Sequence, residues 1–268
     1  MGDAGRVKST FSWRAFWRGL AGVVVLLVLW EIFARSGLFS QALTPPLIKI
    51  AKVGWRLLLD GSLLRNSAYT LGRVLVGLFI ACLVGIPLGI AMGRIRAVER
   101  LCLPLVSGLM PIPSLAWVPL FVLWFGIGNA TTIAVVSYAA SFQVIYNVWT
   151  GVRAVNPLWV RAATAMGATR RNLFRKVVLP GALPYVFTGI RLGFGRAWIA
   201  VIGGEMLANP SWGLGRVIFD AGEFLESGVM LASLIAIGTI GLIFERLVFQ
   251  KVEELTVARW GMVLGARR

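Results

Sequence analysis

Between Leu101 and Val152 the chain runs for 52 residues without an Asp, Glu, Lys or Arg. Water cannot host a run of that length. A membrane-crossing helix needs about 20 mostly apolar residues, so the stretch is too long for one crossing and suits two. Gly126-Ile-Gly-Asn129 supplies the turn signal between them. The rest of the chain agrees: 58% of it is hydrophobic, with a mean hydropathy of +0.81, against about 45–50% in soluble domains. The fold class is therefore all-α integral membrane, with lipid as the solvent for much of the surface.

Four more apolar runs complete a predicted set of six spans. The first covers Gly19 to Ala34, with Glu31 near its outer end, and the second Val74 to Gly93, uncharged between Arg73 and Arg94. The fifth, Leu183 to Leu207, is interrupted by Arg191 and Arg196, and the sixth runs from Ser227 to Phe244. With the N-terminus cytoplasmic, the inner segments carry 18 Lys/Arg and the outer ones 6, so the positive-inside rule predicts both termini in the cytoplasm. The basic start and apolar core of the first run resemble a signal peptide, but no small-residue cleavage site follows, and a signal-anchor fits better. Thr44-Pro45-Pro46 predicts a helix start with Thr44 as cap. The stretch 47–65, mixing Ile48, Ile50 and Trp55 with Lys49, Lys52 and Arg56, predicts a helix lying in the outer interface.

The formal charge is +16 with no histidine. The basic residues cluster between apolar runs rather than on one soluble domain, which argues against a nucleic-acid partner. Without histidine, the commonest general base and metal ligand is missing; no metal site is expected. Cys82 and Cys102 lie in or beside apolar runs and behave as small hydrophobes. The absence of an internal repeat weakens an inverted-repeat secondary transporter.

One island breaks the apolar pattern. Residues 161–180 carry Arg161, Arg170, Arg171, Arg175 and Lys176, and orientation places them in the cytoplasm. Asn156-Pro157 predicts the start of a short helix running through Met166. Gly167 permits a sharp turn, and Thr169 caps a second helix through Leu179, ended by Pro180. Spacing alone leaves two readings open, an ordinary solvated loop and a docking tip whose small residues let another backbone come close.

The island resembles the EAA motif of bacterial ABC-importer permeases, E-A-A-x3-G-x9-I-x-L-P. Ala162-Ala163, Gly167 and Val177-x-Leu179-Pro180 stand at matching spacings, while Arg161 replaces the usual Glu. Gly85-Ile-Pro-Leu-Gly89, Leu115-Ala-Trp-Val-Pro119, Leu123-Trp-Phe-Gly-Ile-Gly128, Leu179-Pro-Gly-Ala-Leu-Pro184 and Ala221-Gly-Glu-Phe224 resemble the taurine, aliphatic sulfonate and nitrate branch of that family. The resemblance implies the type I, MetI-like permease fold over residues 65–250, preceded by a cytoplasmic tail (1–18) and the first span with its outer helix (19–64), and followed by a cytoplasmic tail (251–268). It implies a coupling loop at 153–180, with Arg161, Ala162, Ala163, Met166, Gly167, Leu179 and Pro180 meeting an ATPase. The implied partners are a second permease copy (a homodimer), two cytoplasmic ATPase subunits holding Mg-ATP, and an external binding protein. The chain itself would carry no cofactor and break no bond, in a bacterial inner membrane. The implied cargo is taurine or an aliphatic sulfonate first, then nitrate, bicarbonate or a small carboxylate; the alternative is an ATP-independent secondary transporter or channel.

Arg196 falls roughly 20 Å along span five and Arg191 roughly 12 Å. A charge at the midplane costs at least about 2.5–3.5 kcal/mol and tends to mark function. Two readings of Arg196 stand: an anion-binding side chain, or the partner of a carbonyl or acidic group on another span. The proline breaks at Pro87, Pro111, Pro113 and Pro119 suggest a path beside Ser114, Trp117 and Trp198. Glu205, at the outer mouth, with Asp220 and Glu223, forms a candidate dock for the binding protein or simply a solvated acidic face.

Overall fold

The computed structural model describes residues 13–40 and 42–251. Of the tail expected at 1–18, residues 13–18 already belong to the first helix, Trp13–Arg35, and the rest lies outside the described residues, as does all but Lys251 of the tail expected at 251–268. Every described element is helical. The helices are α1 (Trp13–Arg35), α2 (Leu47–Leu59), α3 (Ser62–Arg94), α4 (Arg96–Leu109), α5 (Val118–Phe125), α6 (Asn129–Ala154), α7 (Pro157–Ala165), α8 (Arg170–Leu173), α9 (Leu179–Ala208), α10 (Leu214–Glu223) and α11 (Ser227–Ile243). A 3-10 turn (Ser114–Trp117) precedes α5, and π-helical stretches follow α8 (Phe174–Val178) and α11 (Phe244–Gln250).

The core is a three-helix sandwich of α3, α6 and α9. On α3, Gly77, Ala81, Gly85, Gly89 and Gly93 recur every fourth residue; facing them on α6 are Val136, Ala140, Val144, Val148 and Val152. Two four-residue ridges thus interlock, and small residues let the backbones approach as lipid-embedded helices require. At Gly89 a β-carbon would stand 2.7 Å from Val148 Cβ and 2.8 Å from the Ile145 carbonyl. The second face of α6 receives α9, where Phe194, Ala197 and Val201 join Val74, Val136 and Ala140 in one buried cluster.

Three helices among the described residues are long and apolar enough to cross a membrane: Ser62–Arg94, the continuous Arg170–Ala208, and Ser227–Gln250. Arg96–Leu109 and Ser114–Phe125 add a pair bent by 94° at Pro111 and Pro113. α1 and α6 are outside that set, so these criteria do not reach six. For α6 the reason is its composition. It carries Thr132, Ser137, Ser141 and Asn147, each of which donates to the carbonyl four residues earlier, so the helix satisfies its own polar groups while its faces are spent on α3 and α9.

Several expected details differ. α3 starts twelve residues before Val74, because Arg73 is not a flank but a buried member of the helix. It also runs unbroken through Pro87, with Gly85 and Gly89 seated on α6 on either side. Thr44 does not cap α2. Glu31 Oε2, reaching over from α1, accepts from Leu47 N at 2.9 Å and does that work. Pro180 does not end a helix: the π turn at 174–178 widens the backbone just where the proline ring would meet the preceding turn, and Pro180 sits in the first turn of α9. The break at Gly126–Asn129 lies where expected, with Gly126 at φ +77° and Gly128 at φ +120°.

Candidate functional site

α9 divides lengthwise into two faces. Ala182, Val186, Gly189, Gly193, Ala197 and Val201 are buried against the core. Thr188, Leu192, Gly195, Arg196 and Ile199 form the opposite stripe, exposed in the isolated chain. Arg196 therefore points away from its own bundle. No ion pair or hydrogen bond reaches its guanidinium among the described residues.

Two cavities meet at this side chain. One, about 350 Å³, lies under the Met110–Leu115 break and is bordered by Ser114, Tyr138, Gln143 and Arg196. The other, about 770 Å³, lies between α9 and the end of α11 and is bordered by Arg191, Arg196 and Glu245. Arg191 is paired: its Nε donates to Glu245 Oε1 at 2.8 Å, and its Nη2 donates to the same oxygen. Of the five expected path residues, Arg191, Arg196 and Ser114 are brought together around these cavities. Trp117 and Trp198 are not. Trp117 packs on Tyr138 and Phe121, with ring centroids 5.2 and 6.2 Å away. Trp198, two residues and about 200° round the helix from Arg196, stacks on Phe194 at 5.8 Å and lies over Gly241 of α11.

The basic island folds as a bent finger. Asn156 Oδ1 accepts from Leu158 N at 2.9 Å to start α7; Gly167 takes φ +77° in the turn; Thr169 Oγ1 accepts from Asn172 N at 3.3 Å to start α8. Ala163 is buried, Leu179 and Pro180 are half-buried, and Arg161, Ala162, Met166 and Gly167 are exposed. Met166, after the end of α7, is 82% exposed, and Leu158 and Trp159 at the start of that helix are also open. The finger thus presents exposed apolar side chains as well as the exposed cations Arg161, Arg170 and Arg171.

The acidic candidates separate. Glu205 cannot be part of an outer dock, because its side chain is completely buried. Its Oε1 accepts from Arg73 Nη1 at 2.5 Å and from Thr70 Oγ1 at 2.9 Å, and its Oε2 accepts from Gly215 N at 2.8 Å. Arg73 also donates from Nε and Nη2 to Asn129 Oδ1, at 2.9 and 2.7 Å. Thr70 Oγ1 accepts from Leu214 N, and Asn66 Oδ1 from Gly213 N. The carboxylate caps the N-terminus of α10, where an anion is favoured. Gly213 has to be glycine: at φ +150° a β-carbon there would lie 2.5 Å from the Glu205 carboxylate. Asp220 is held by Arg216 one turn away at 2.6 Å, and Glu223 is exposed. Sequence reasoning missed this node, although Asn66, Thr70 and Arg73 sit at i, i+4 and i+7, a polar stripe on an apolar helix.

A bundle of long lipid-facing helices, a proline-broken bent span, an unpaired arginine at the junction of two cavities and an exposed finger between spans define a membrane permease. The chain belongs to the binding-protein-dependent transport system inner membrane component family, whose pattern matches residues 85–252. A putative ABC transporter permease of Methanocaldococcus jannaschii is 41% identical over 69% of this chain and 70% of its own length. The taurine transport system permease protein TauC of Escherichia coli is 37% identical over 83% of this chain and 82% of its own. The bicarbonate transport system permease protein CmpB of Synechococcus elongatus is 32% identical, covering 85% of both. In fold the chain resembles an inward-facing MetNI methionine ABC transporter, with a TM-score of 0.63 at 22% identity over 74% of this chain and 97% of that one. It is an all-helical, MetI-like ABC permease fold.

Proposed function

We propose that this permease carries a small anion into the cytoplasm, taurine or an aliphatic sulfonate first and nitrate, bicarbonate or a small carboxylate next, with Arg196 as the anion-binding side chain. The observation that supports this reading is the open Arg196 guanidinium: among the described residues no acidic group or carbonyl pairs with it, and it borders both cavities. Taurine, through its sulfonate, and bicarbonate, both in the relatives' names, each present a negatively charged oxygen group that a guanidinium can bind. The six spans are α1, α3, the bent α4–α5 pair, α6, α9 and α11, with both termini cytoplasmic in an inner membrane. Two copies form the path. Residues 157–180 receive two ATPase subunits that hold Mg-ATP, and because α8, the π turn and α9 are continuous, a push on the finger moves the helix that carries Arg196. An external binding protein delivers cargo near the exposed end of α10, at Asp220 and Glu223. An ATP-independent transporter or channel gives the finger no task.

The test is uptake in proteoliposomes that hold permease, ATPase subunits and binding protein, supplied in turn with taurine, nitrate and bicarbonate. A charged hydrogen bond lost from the transition between states is worth about 1.5–3 kcal/mol, so Arg196→Ala should raise the apparent KM roughly ten- to hundredfold in a complex that still assembles. Unchanged rate and affinity would end the anion-contact reading.

A further inference from the structure

Most polar side chains along α6 are already engaged. Thr132, Ser137, Ser141 and Asn147 donate to carbonyls one turn earlier, and Tyr138 donates to the Leu109 carbonyl at 3.0 Å. Gln143 is not engaged. Its amide makes no hydrogen bond among the described residues, it is half-buried, and it borders the 350 Å³ cavity that also reaches Arg196. We propose that Gln143 is a specificity-determining residue whose amide donates to the third oxygen of an anion held by Arg196, so that the permease itself selects three-oxygen anions (sulfonates, nitrate and bicarbonate) over carboxylates. This deepens the anion reading given above and rests on it.

Helix register brings the two groups together. α6 and α9 run antiparallel: β-carbons at Gly189 and Gly204 of α9 would meet Asn147 at 2.9 Å and Thr132 at 3.4 Å. Gln143, four residues before Asn147, therefore stands level with Gly193, four residues after Gly189. Three residues, roughly 4.5 Å of axis, separate that level from Arg196. Helical side chains lean toward their own N-terminus. In antiparallel neighbours the two leans are opposed, so Arg196 reaches back toward the level of Gln143 while Gln143 reaches toward the level of Arg196. Ser114 borders the same cavity but lies further off. Its neighbour Leu115 sits 2.6 Å from where a β-carbon of Gly203 would be, and Gly203 is seven residues, roughly 10 Å, beyond Arg196.

The chemistry turns on the number of oxygens. A guanidinium fork meets two at once, which accounts for both oxygens of a carboxylate. A sulfonate, nitrate or bicarbonate keeps a third. In a cavity walled in part by Ala139, Phe142 and Ile199, an oxygen stripped of water and given no donor costs affinity. Gln143 can turn its NH2 toward that oxygen. Being neutral, it does so without a second positive charge, and passage needs binding firm enough to enter yet weak enough to leave.

The experiment uses the assembled permease and ATPase subunits in nanodiscs, without nucleotide and without the binding protein, so that no other filter acts. Equilibrium dialysis reads Kd for taurine and for β-alanine, which keeps taurine's chain and ammonium but ends in a carboxylate; nitrate is a third probe. Wild type should bind taurine more tightly than β-alanine. Gln143→Leu should raise Kd for taurine and nitrate by roughly three- to thirtyfold, the range one hydrogen bond to a charged group commands in a half-open site. The same variant should leave β-alanine within about twofold, which erases the preference. If Gln143→Leu does not assemble, Gln143→Asn, which draws the amide back by one methylene, should shift the same probes by less. Equal shifts for taurine and β-alanine would mark a merely structural residue and overturn the proposal. So would unchanged taurine and nitrate binding, or a wild type that does not distinguish taurine from β-alanine. In each of these cases a weakened Arg196→Ala complex still upholds the anion reading. If Arg196→Ala binds taurine and nitrate as wild type does, or wild type binds none of the probes, both fall.

Discussion

Replacing Arg73 by alanine should be among the most damaging single changes to this chain, and the geometry says by how much. Arg73 is the cation of a node that fastens α3 to α6 through Asn129 and to α9 through Glu205. Glu205 in turn holds the start of α10 through Gly215 N. Truncating Arg73 leaves the Glu205 carboxylate, which has no solvent exposure, with only Thr70 and one backbone N–H. Breaking a buried pair by removing one partner costs about 3–5 kcal/mol, because the remaining charge stays out of water. Removing both charges is different. In Arg73→Met/Glu205→Gln the amide oxygen still accepts from Gly215 N and Thr70 Oγ1, while methionine fills the guanidinium's place, so the double variant should lose less than Arg73→Ala alone. Thermal or denaturant unfolding of the purified permease in one fixed detergent, run as a double-mutant cycle over Arg73→Met, Glu205→Gln and the double variant, measures the coupling directly. The expected coupling is about 2–4 kcal/mol. A value below about 1 kcal/mol, typical of a surface pair, would refute the view that these two charges hold α3, α9 and α10 together.

Two further tests address the core and the finger. Gly89→Ala puts a β-carbon 2.7 Å from Val148 Cβ and 2.8 Å from the Ile145 carbonyl, whereas Gly72→Ala on the same helix meets nothing within 4 Å; the first should destabilise by about 1–3 kcal/mol and the second should not, as read by melting temperature in matched detergent. Met166→Asp, at a site 82% exposed, should leave the permease's own melting temperature unchanged while abolishing ATPase co-purification and ATP-driven uptake; retention of both would remove the finger from the coupling surface.

Local chemistry was legible in the sequence; long-range compensation was not. The turn at Gly126–Asn129 and the caps at Asn156 and Thr169 depend on a residue and its near neighbours, and all three stand as read. Arg73 and Glu205 were read as a flank and an outer-mouth acid because an isolated charge in an apolar run looks like a boundary. Their partners lie 132 residues apart, and no local window contains that fact. Thr44 lost the cap of α2 in the same way, to a carboxylate sixteen residues before Leu47 on another helix. Pro180 shows the reverse failure, in which a sound local rule gave way to a π turn that the rule does not include.

The charges that were legible as unusual then sort themselves by burial. Arg73 is sealed in and fully bonded, which makes it architecture. Arg191 is half-open at a cavity edge and paired with Glu245 of the π-helical stretch that follows α11. Arg196 is open and borders two cavities, with no anion among the described residues paired to it. An intramembrane cation without an internal counter-charge carries its full desolvation cost, and a fold that neutralises two arginines on the same three-helix core had the means to neutralise a third. That it leaves Arg196 unmatched is what an anion that comes and goes requires. The same reasoning predicts that placing an acid beside it, as in Ser114→Asp across the smaller cavity, lowers affinity for every transported anion while leaving the Arg73–Glu205 node and the melting temperature in place.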